Sequence, residues 1–297
     1  MAVGEGGNTI ASSPDGTTWT GREASAVFSK ARGVAYGANR WVVVGEGAHT
    51  IATSLDNGIT WAGLGKTTFT TVGNNVTWNG SRFVAVGQGG NTVATSVNGT
   101  VWSAVRGTTF ATYGSDVEWL NGSWYAVGSD ATHYYLGSVD GLIWTGQGKG
   151  VNTAEVAGIG GSTYINKVKY VILEGNSNRS FTSYDGITWI NRTIPATSGS
   201  YITYVNGIWV AAVQAGIIYS TDGITWTLTV PFTTATFVAY GSNLWVAFGT
   251  LGQISNSPDL VTWTQRTTPF TLITNGAFWN GSLWIAMNTG TNHSMAR

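Results

Sequence analysis

Seven copies of one short motif, each closing on a tryptophan, recur from one end of this 297-residue chain to the other. They read Ser13-Pro-Asp15-Gly16-Thr-Thr-Trp19, Ser54-Leu-Asp56-Asn57-Gly58-Ile-Thr-Trp61, Ser96-Val-Asn98-Gly99-Thr-Val-Trp102, Ser138-Val-Asp140-Gly141-Leu-Ile-Trp144, Ser183-Tyr-Asp185-Gly186-Ile-Thr-Trp189, Ser220-Thr-Asp222-Gly223-Ile-Thr-Trp226 and Ser257-Pro-Asp259-Leu-Val-Thr-Trp263. Successive tryptophans stand 42, 41, 42, 45, 37 and 37 residues apart. A period of this size means one supersecondary unit copied many times, each copy too small to bury its apolar face alone. Length would allow two domains, but a repeat that never pauses predicts one, residues 1–297.

Aligned on their tryptophans, the units share a four-strand plan. A first strand ends in an aromatic and a turn, as in Trp78-Asn79-Gly80, Trp119-Leu120-Asn121-Gly122, Tyr204-Val205-Asn206-Gly207 and Trp279-Asn280-Gly281. Asn-Gly between apolar runs predicts a hairpin, because both residues tolerate the positive φ of a type I′ turn. A second strand follows (Trp41–Val44, Phe83–Val86, Trp124–Val127, Trp209–Ala212, Trp245–Phe248, Trp284–Met287), apolar throughout, as for a strand covered on both faces. After a glycine-rich loop comes a third strand such as Thr50–Thr53, which runs into the Ser-x-Asp turn, and the closing Trp opens a fourth. No stretch carries a 3.6-residue apolar period, so no helix is expected. Four antiparallel strands repeated around a ring make an all-β, seven-bladed β-propeller. The tryptophans of the motif and of the second strands are expected to form the core between blades.

The count closes only if one blade is split. Six complete blades run over about 27–268, and the seventh combines 1–24 with 274–297, the two ends sharing one blade. Residues 1–12 and 286–297 both read as the end of a second strand, a glycine loop and a third strand, so one of them is redundant in the ring.

The box Ser-x-Asp-x-Gly-x-Thr-Trp resembles the Asp-box, or bacterial neuraminidase repeat, of sialidases, sortilin-type receptors, photosystem assembly factors and related propellers. Ser54–Trp61 matches it in full, five copies lack one residue before Gly, and the Leu260 copy lacks the glycine. The resemblance covers the whole chain and implies a fold, since these boxes are structural hairpins in families of different roles. The longer pattern, a Trp-Asn-Gly hairpin followed by Trp-Val-Ala-Val-Gly and the box, is similar to repeats in bacteriophage and large-virus proteins.

Composition removes several functions. Charged residues make up 9% of the chain and net charge is zero, so no electrostatic footprint for nucleic acid is present. No apolar run approaches the ~18 residues needed for a spanning helix. The start, Met1-Ala2-Val3-Gly4-Glu5-Gly6, shows no signal peptide; a virion-associated or extracellular place is the expectation. Cysteine is absent, which removes thiolate chemistry and disulfides.

A sialidase would need an arginine trio, a Tyr–Glu pair and an Asp acid, and the Arg-Ile-Pro element that accompanies the first arginine in that family is missing. Six of the eight aspartates are box residues, leaving Asp116, Asp130 and six glutamates, none in a shared motif. Glycoside hydrolysis needs two facing carboxyls, so no enzyme, cofactor or metal is expected. His49, His133 and His293 share one phase of the repeat with Asn8, Asn91 and Asn178, five residues before a box serine, real or (for His293) expected, but fall in separate blades. They read as hydrogen-bonding positions after the glycine loop rather than zinc ligands. The glycine loops lack the lysine and following helix of a phosphate site.

Consecutive loops alternate between the two ends of a propeller. Asn-Gly turns and boxes share one end; the glycine loops and the long connections between units share the other. Variable loops on a rigid scaffold carry binding. The expected ligand-binding residues are therefore Glu46, His49, Gln88, Asn91, Asp130, His133, Asn176 and Arg179, serving a non-catalytic module that recognises a protein or a glycan. A lectin is the alternative, using first-strand aromatics Tyr36, Trp78, Trp119, Tyr204, Tyr240 and Trp279; a sialidase-like glycoside hydrolase is the third.

Overall fold

The computed structural model describes residues 9–15, 17–22, 27–129, 135–146, 156–161, 170–175, 177–185, 188–268 and 273–289. Among the described residues every strand pairing but one is antiparallel. Four sheets follow the chain in order: Lys30–Gly37 to Ala62–Gly63, Val156–Gly161 to Ile190–Thr193, Gly199–Val205 to Thr227–Thr229, and Ala235–Gly241 to Thr264–Arg266. Two further sets, Phe69–Trp78 to Ser103–Ala104 and Tyr113–Leu120 to Ile143–Gly146, join where Tyr113 meets Gln88. The short Arg106–Gly107 adds in parallel to Ile143–Gly146. A single 3-10 turn, Thr250–Gly252, interrupts the strands among the described residues.

The remaining sheet unites the chain ends in the order Thr20–Arg22, Ile10–Ser13, Trp284–Thr289, Ile273–Trp279. Its third-strand position is taken by Ile10–Ser13, paired Ile10↔Met287, Ala11↔Ala286, Ser12↔Ile285 and Ser13↔Trp284. The redundancy of the two ends is thus answered in favour of the N-terminal segment; 1–8 and 290–297 lie outside the described residues. The register matches the rest of the chain. The box serine faces the second-strand aromatic as Ser54↔Trp41, Ser96↔Phe83, Ser138↔Trp124, Ser183↔Tyr170, Ser220↔Trp209 and Ser257↔Trp245.

Side-chain alternation explains why second strands are apolar throughout. Phe83 and Ala85 enter one core cluster, with Val42 and Val44 of the preceding sheet. Val84 and Val86 point the other way, into a cluster with Val117 and Trp124 of the following sheet. Each fully buried Val or Phe contributes roughly 1.5–3 kcal/mol. The first strands form the inner layer, each against the next, with Ile273–Trp279 against Lys30–Gly37.

The boxes are self-contained turns. The serine hydroxyl donates to the Asp or Asn carbonyl or carboxylate oxygen at 2.7–3.2 Å. That oxygen accepts amides further along the turn, as at Leu142 and Ile143 (2.8 and 3.0 Å). Gly58, Gly99, Gly141 and Gly223 take φ near 75°; at the copy without glycine Leu260 adopts φ 66° and buries its side chain against Trp245.

Two expectations need correction. Asn121-Gly122 and Asn206-Gly207 are two-residue turns with both φ positive, and Ala38-Asn39 and Ser242-Asn243 do the same. At Asn79-Gly80 and Asn280-Gly281 only the glycine is positive. There Asn79 Oδ1 accepts the Ser81 and Arg82 amides and Asn280 Oδ1 those of Ser282 and Leu283, building a four-residue loop. The tryptophans also divide. Second-strand Trp41, Trp124, Trp209 and Trp284 and box residues Trp19, Trp144 and Trp226 are buried as expected, whereas box residues Trp61, Trp102, Trp189 and Trp263 are half-buried and pack against the core from its edge.

The box carboxylates make stability acid-sensitive. At Asp56, burial works against ionisation, but the Thr60 hydroxyl and amide and the Ser54 hydroxyl outweigh it and hold the pKa at about 2. The Thr262 and Val261 amides hold Asp259 at about 2, and Asp140 and Asp222 are lowered too. A pKa depressed on folding contributes stability that is full above the ordinary value, 3.8, and is lost as pH falls through the folded value. Thermal unfolding midpoints are therefore expected to fall steeply between about pH 4 and pH 2; a flat profile over that window would contradict this role.

Candidate functional site

The inner strands enclose a cavity of about 760 Å³, within the range of small-molecule sites. It is shaped by one irregularity repeated at the same place in every first strand. The pairing with the second strand shifts at a β-bulge whose extra residue is Arg32, Asn74, Ser115, Ala157, Ser200, Thr236 or Asn275. A bulge bends the strand and re-aims its side chains. Arg32, Asn74, Ser115 and Ser200 line the cavity as a result. Where the bulge leaves a carbonyl without its ladder partner, a hydroxyl substitutes: Ser115 Oγ donates to Val127 O and Thr236 Oγ1 to Phe248 O, both at 3.2 Å.

The opposite stretch of wall is aromatic, with Tyr36, Trp78, Trp119, Tyr240 and Trp279. Each packs on the second-strand aromatic across its hairpin, at ring-centroid distances from 4.4 Å (Trp78–Phe83) to 5.5 Å (Trp279–Trp284). Between the polar and aromatic stretches sit Asp116 and Glu118, two residues apart on one strand and so on one face.

Their environments differ. Asp116 is 3% exposed and ties three neighbouring first strands together. It accepts hydrogen bonds from Asn75 Nδ2 on one neighbour, from the Ile159 amide (3.2 Å) on the other and from the Val117 amide (2.9 Å). Burial nonetheless raises its pKa above the ordinary carboxyl value. Glu118 is half-buried on the cavity wall with no hydrogen-bond or ion-pair partner among the described residues. Burial, and then the charge of Asp116, push its carboxyl well above the usual range. Tyr201, also on the wall, is raised by burial and by the charges of Glu118 and Asp116.

The expected binding residues are not brought together as one set. Gln88 lines the cavity, and Glu46 reaches its rim by an ion pair to Arg32 at 3.1 Å. His49 Nδ1 accepts the Gly65 amide at 2.8 Å, and Asn91 Nδ2 donates to Thr68 O at 2.8 Å, so each pins a loop to the connection beside it. The Arg179 guanidinium lies 6.0 Å from the Phe181 ring centre, and its amide donates to Ser177 Oγ. Asp130, His133 and Asn176 lie outside the described residues. Asp116, Glu118 and Tyr201 were not singled out as binding residues by sequence; the signal available was a pair of carboxyls two apart on a first strand, where other units carry Asn75 and Thr77 or Phe237 and Ala239.

No group of three or more metal-ligating side chains occurs among the described residues. Nor is any helix there long and apolar enough to cross a membrane. The chain matches no protein-family model and no curated protein. Among solved structures it is similar to YCF48 from Cyanidioschyzon merolae (TM-score 0.65, 14% identity, 87% of this chain and 95% of that one). It is also similar to YCF48 bound to D1 peptide (0.67, 15%, 97% and 98%) and to virginiamycin B lyase from Staphylococcus aureus (0.69, 11%, 86% and 94%). At such identities the likeness is one of fold: the chain is a β-propeller.

Proposed function

We propose that this chain is a non-catalytic recognition module, a single propeller of seven blades closed by its own two ends, which binds a partner at the end carrying the glycine loops. The observation that carries the reading is the contrast between the two ends. At the box end, the Ser and Asp side chains satisfy their own turns, as Ser138, Asp140 and their amides do. At the other end, Arg32 and Gln88 line the cavity and Glu46 pairs with Arg32. Binding residues on loops carried by a stiff scaffold are a general solution. A neighbour of the same fold is described with a bound peptide, which supports a protein as the first partner to test. The likeness of the repeats to Asp-box and to phage and large-virus propellers favours a virion or extracellular setting.

Catalysis by paired carboxyls is disfavoured by Asp116. Its oxygens are engaged by Asn75, Val117 and Ile159, leaving Glu118 alone where glycoside cleavage needs two. The lectin reading draws on the cavity aromatics, whose rings suit stacking on sugars.

Peptide-library and glycan-array binding by the immobilised protein, repeated with Gln88→Ala and with Leu55→Ala at the box end, tests the proposal. Saturable binding weakened by Gln88→Ala and not by Leu55→Ala is the expected result. The opposite pattern, or turnover of fluorogenic glycosides, would overturn it; sub-millimolar binding of several related sugars would select the lectin.

A further inference from the structure

We infer that the central cavity is a binding site for an organic ammonium group, carried by a free amine or by the tip of a lysine side chain, with the Glu118 carboxylate as its counter-ion and the aromatic wall as its second contact. This goes beyond recognition at the loop end and does not require it. The inference rests on which polar groups on the wall are already satisfied. Asp116 is occupied by donors from three strands. Arg32 is held by Glu46 at 3.1 Å. The Asn74 amide donates to Gly114 O and the Thr77 hydroxyl to Val117 O, both at 2.8 Å. Of the wall's two carboxyls, Glu118 has no donor among the described residues, in a space of about 760 Å³. A carboxyl partly withdrawn from water favours a cationic partner or a proton.

The ligand's charge follows from the same wall. Two carboxyls disfavour an anion, and a neutral ligand gives the ionised form of Glu118 nothing to pair with. An ammonium group answers it and is also attracted to the faces of Trp and Tyr rings. Trp78, Trp119, Tyr240 and Trp279 supply such rings within the same cavity. An ammonium on a short hydrocarbon stem fits both halves of the wall.

Phenethylamine and 2-phenylethanol, nearly equal in shape and differing in charge, should be titrated against the full chain by tryptophan fluorescence. Saturable binding of the amine, at least about tenfold tighter than the alcohol, is expected. Glu118→Gln should weaken the amine by about tenfold or more and leave the alcohol unchanged. This substitution removes no hydrogen bond, so its thermal midpoint should stay at or above that of the parent, which separates lost binding from lost folding. Equal affinity for amine and alcohol, undiminished binding by Glu118→Gln, or no saturation by the amine would each overturn the inference. N-acetyl-lysine amide compared with a lysine-containing decapeptide distinguishes the sources. Equal affinities assign the cavity to a free amine, and a peptide advantage of about tenfold assigns it to a partner's side chain. Because Gln88 is untouched throughout, this result and the loop-end test can fail independently.

Discussion

Trp124→Ala is expected to lower the free energy of unfolding by about 3–5 kcal/mol, measured as a shift in urea midpoint at constant slope. Trp124 is fully buried. It sits between the Phe69 and Tyr113 strand sets, in the cluster that holds Val84, Val86, Val117 and Trp144, and its ring meets Trp119 at 5.1 Å. Truncation would leave a void that stiff, hydrogen-bonded strands on either side cannot collapse to fill. Trp124→Phe should cost far less. The indole Nε1 is buried without a hydrogen-bond partner among the described residues, so its removal forfeits no bond there, and the Phe69 set already uses Phe83 at the same place. A Phe variant as damaged as the Ala variant would show that the indole N–H, rather than its volume, matters there.

Asp116→Ala should cost about 2–4 kcal/mol, by a different mechanism. Here the loss is not volume but three donors left without an acceptor: Asn75 Nδ2 and the amides of Val117 and Ile159. Because those donors come from three strands, hydrogen-exchange protection should fall at Ile159 and Val117 together. Asp116→Asn retains an acceptor oxygen and should lose less. Should Asp116→Ala prove neutral, Asp116 would not be the cross-sheet tie described, and the division of labour that leaves Glu118 open to a ligand would fall with it.

The repeat itself was legible because it rests on chemistry that acts locally. A Ser and an Asp two residues apart close their own turn, and an aromatic facing the serine fixes the register of the second and third strands. The bulge was invisible for the converse reason. Its residues, Arg32, Asn74, Ser115, Ala157, Ser200 and Thr236 among them, share no single side-chain type that would mark the position in a sequence, since what it demands is one extra residue in the strand. The turns show how one position changes a reading. Trp78 and Trp119 each stand five residues before the next aromatic, but Asn79 follows its tryptophan directly while Asn121 follows at two. Only Asn121-Gly122 is centred in the hairpin; Asn79 falls at the loop's start and caps it instead. Asp116 and the glutamates stood out only as carboxyls outside the boxes, and were not read as a site because the partners that distinguish Asp116 from Glu118 arrive from 41 and 43 residues away.

The most direct measurement concerns the seam. The chain has no cysteine, so a designed pair reports without interference. Ala11 and Ala286 are register partners across the strands from the two ends, and either Cα spacing of an antiparallel pair falls in the range a disulfide spans. In the Ala11→Cys/Ala286→Cys variant, a monomeric protein under mild oxidation should form an intramolecular disulfide. That bond should raise stability by up to about 5 kcal/mol, because it closes nearly the whole chain into one loop. Persistently free thiols in the folded monomer, or cross-links formed only between molecules, would contradict a ring closed by its own two ends.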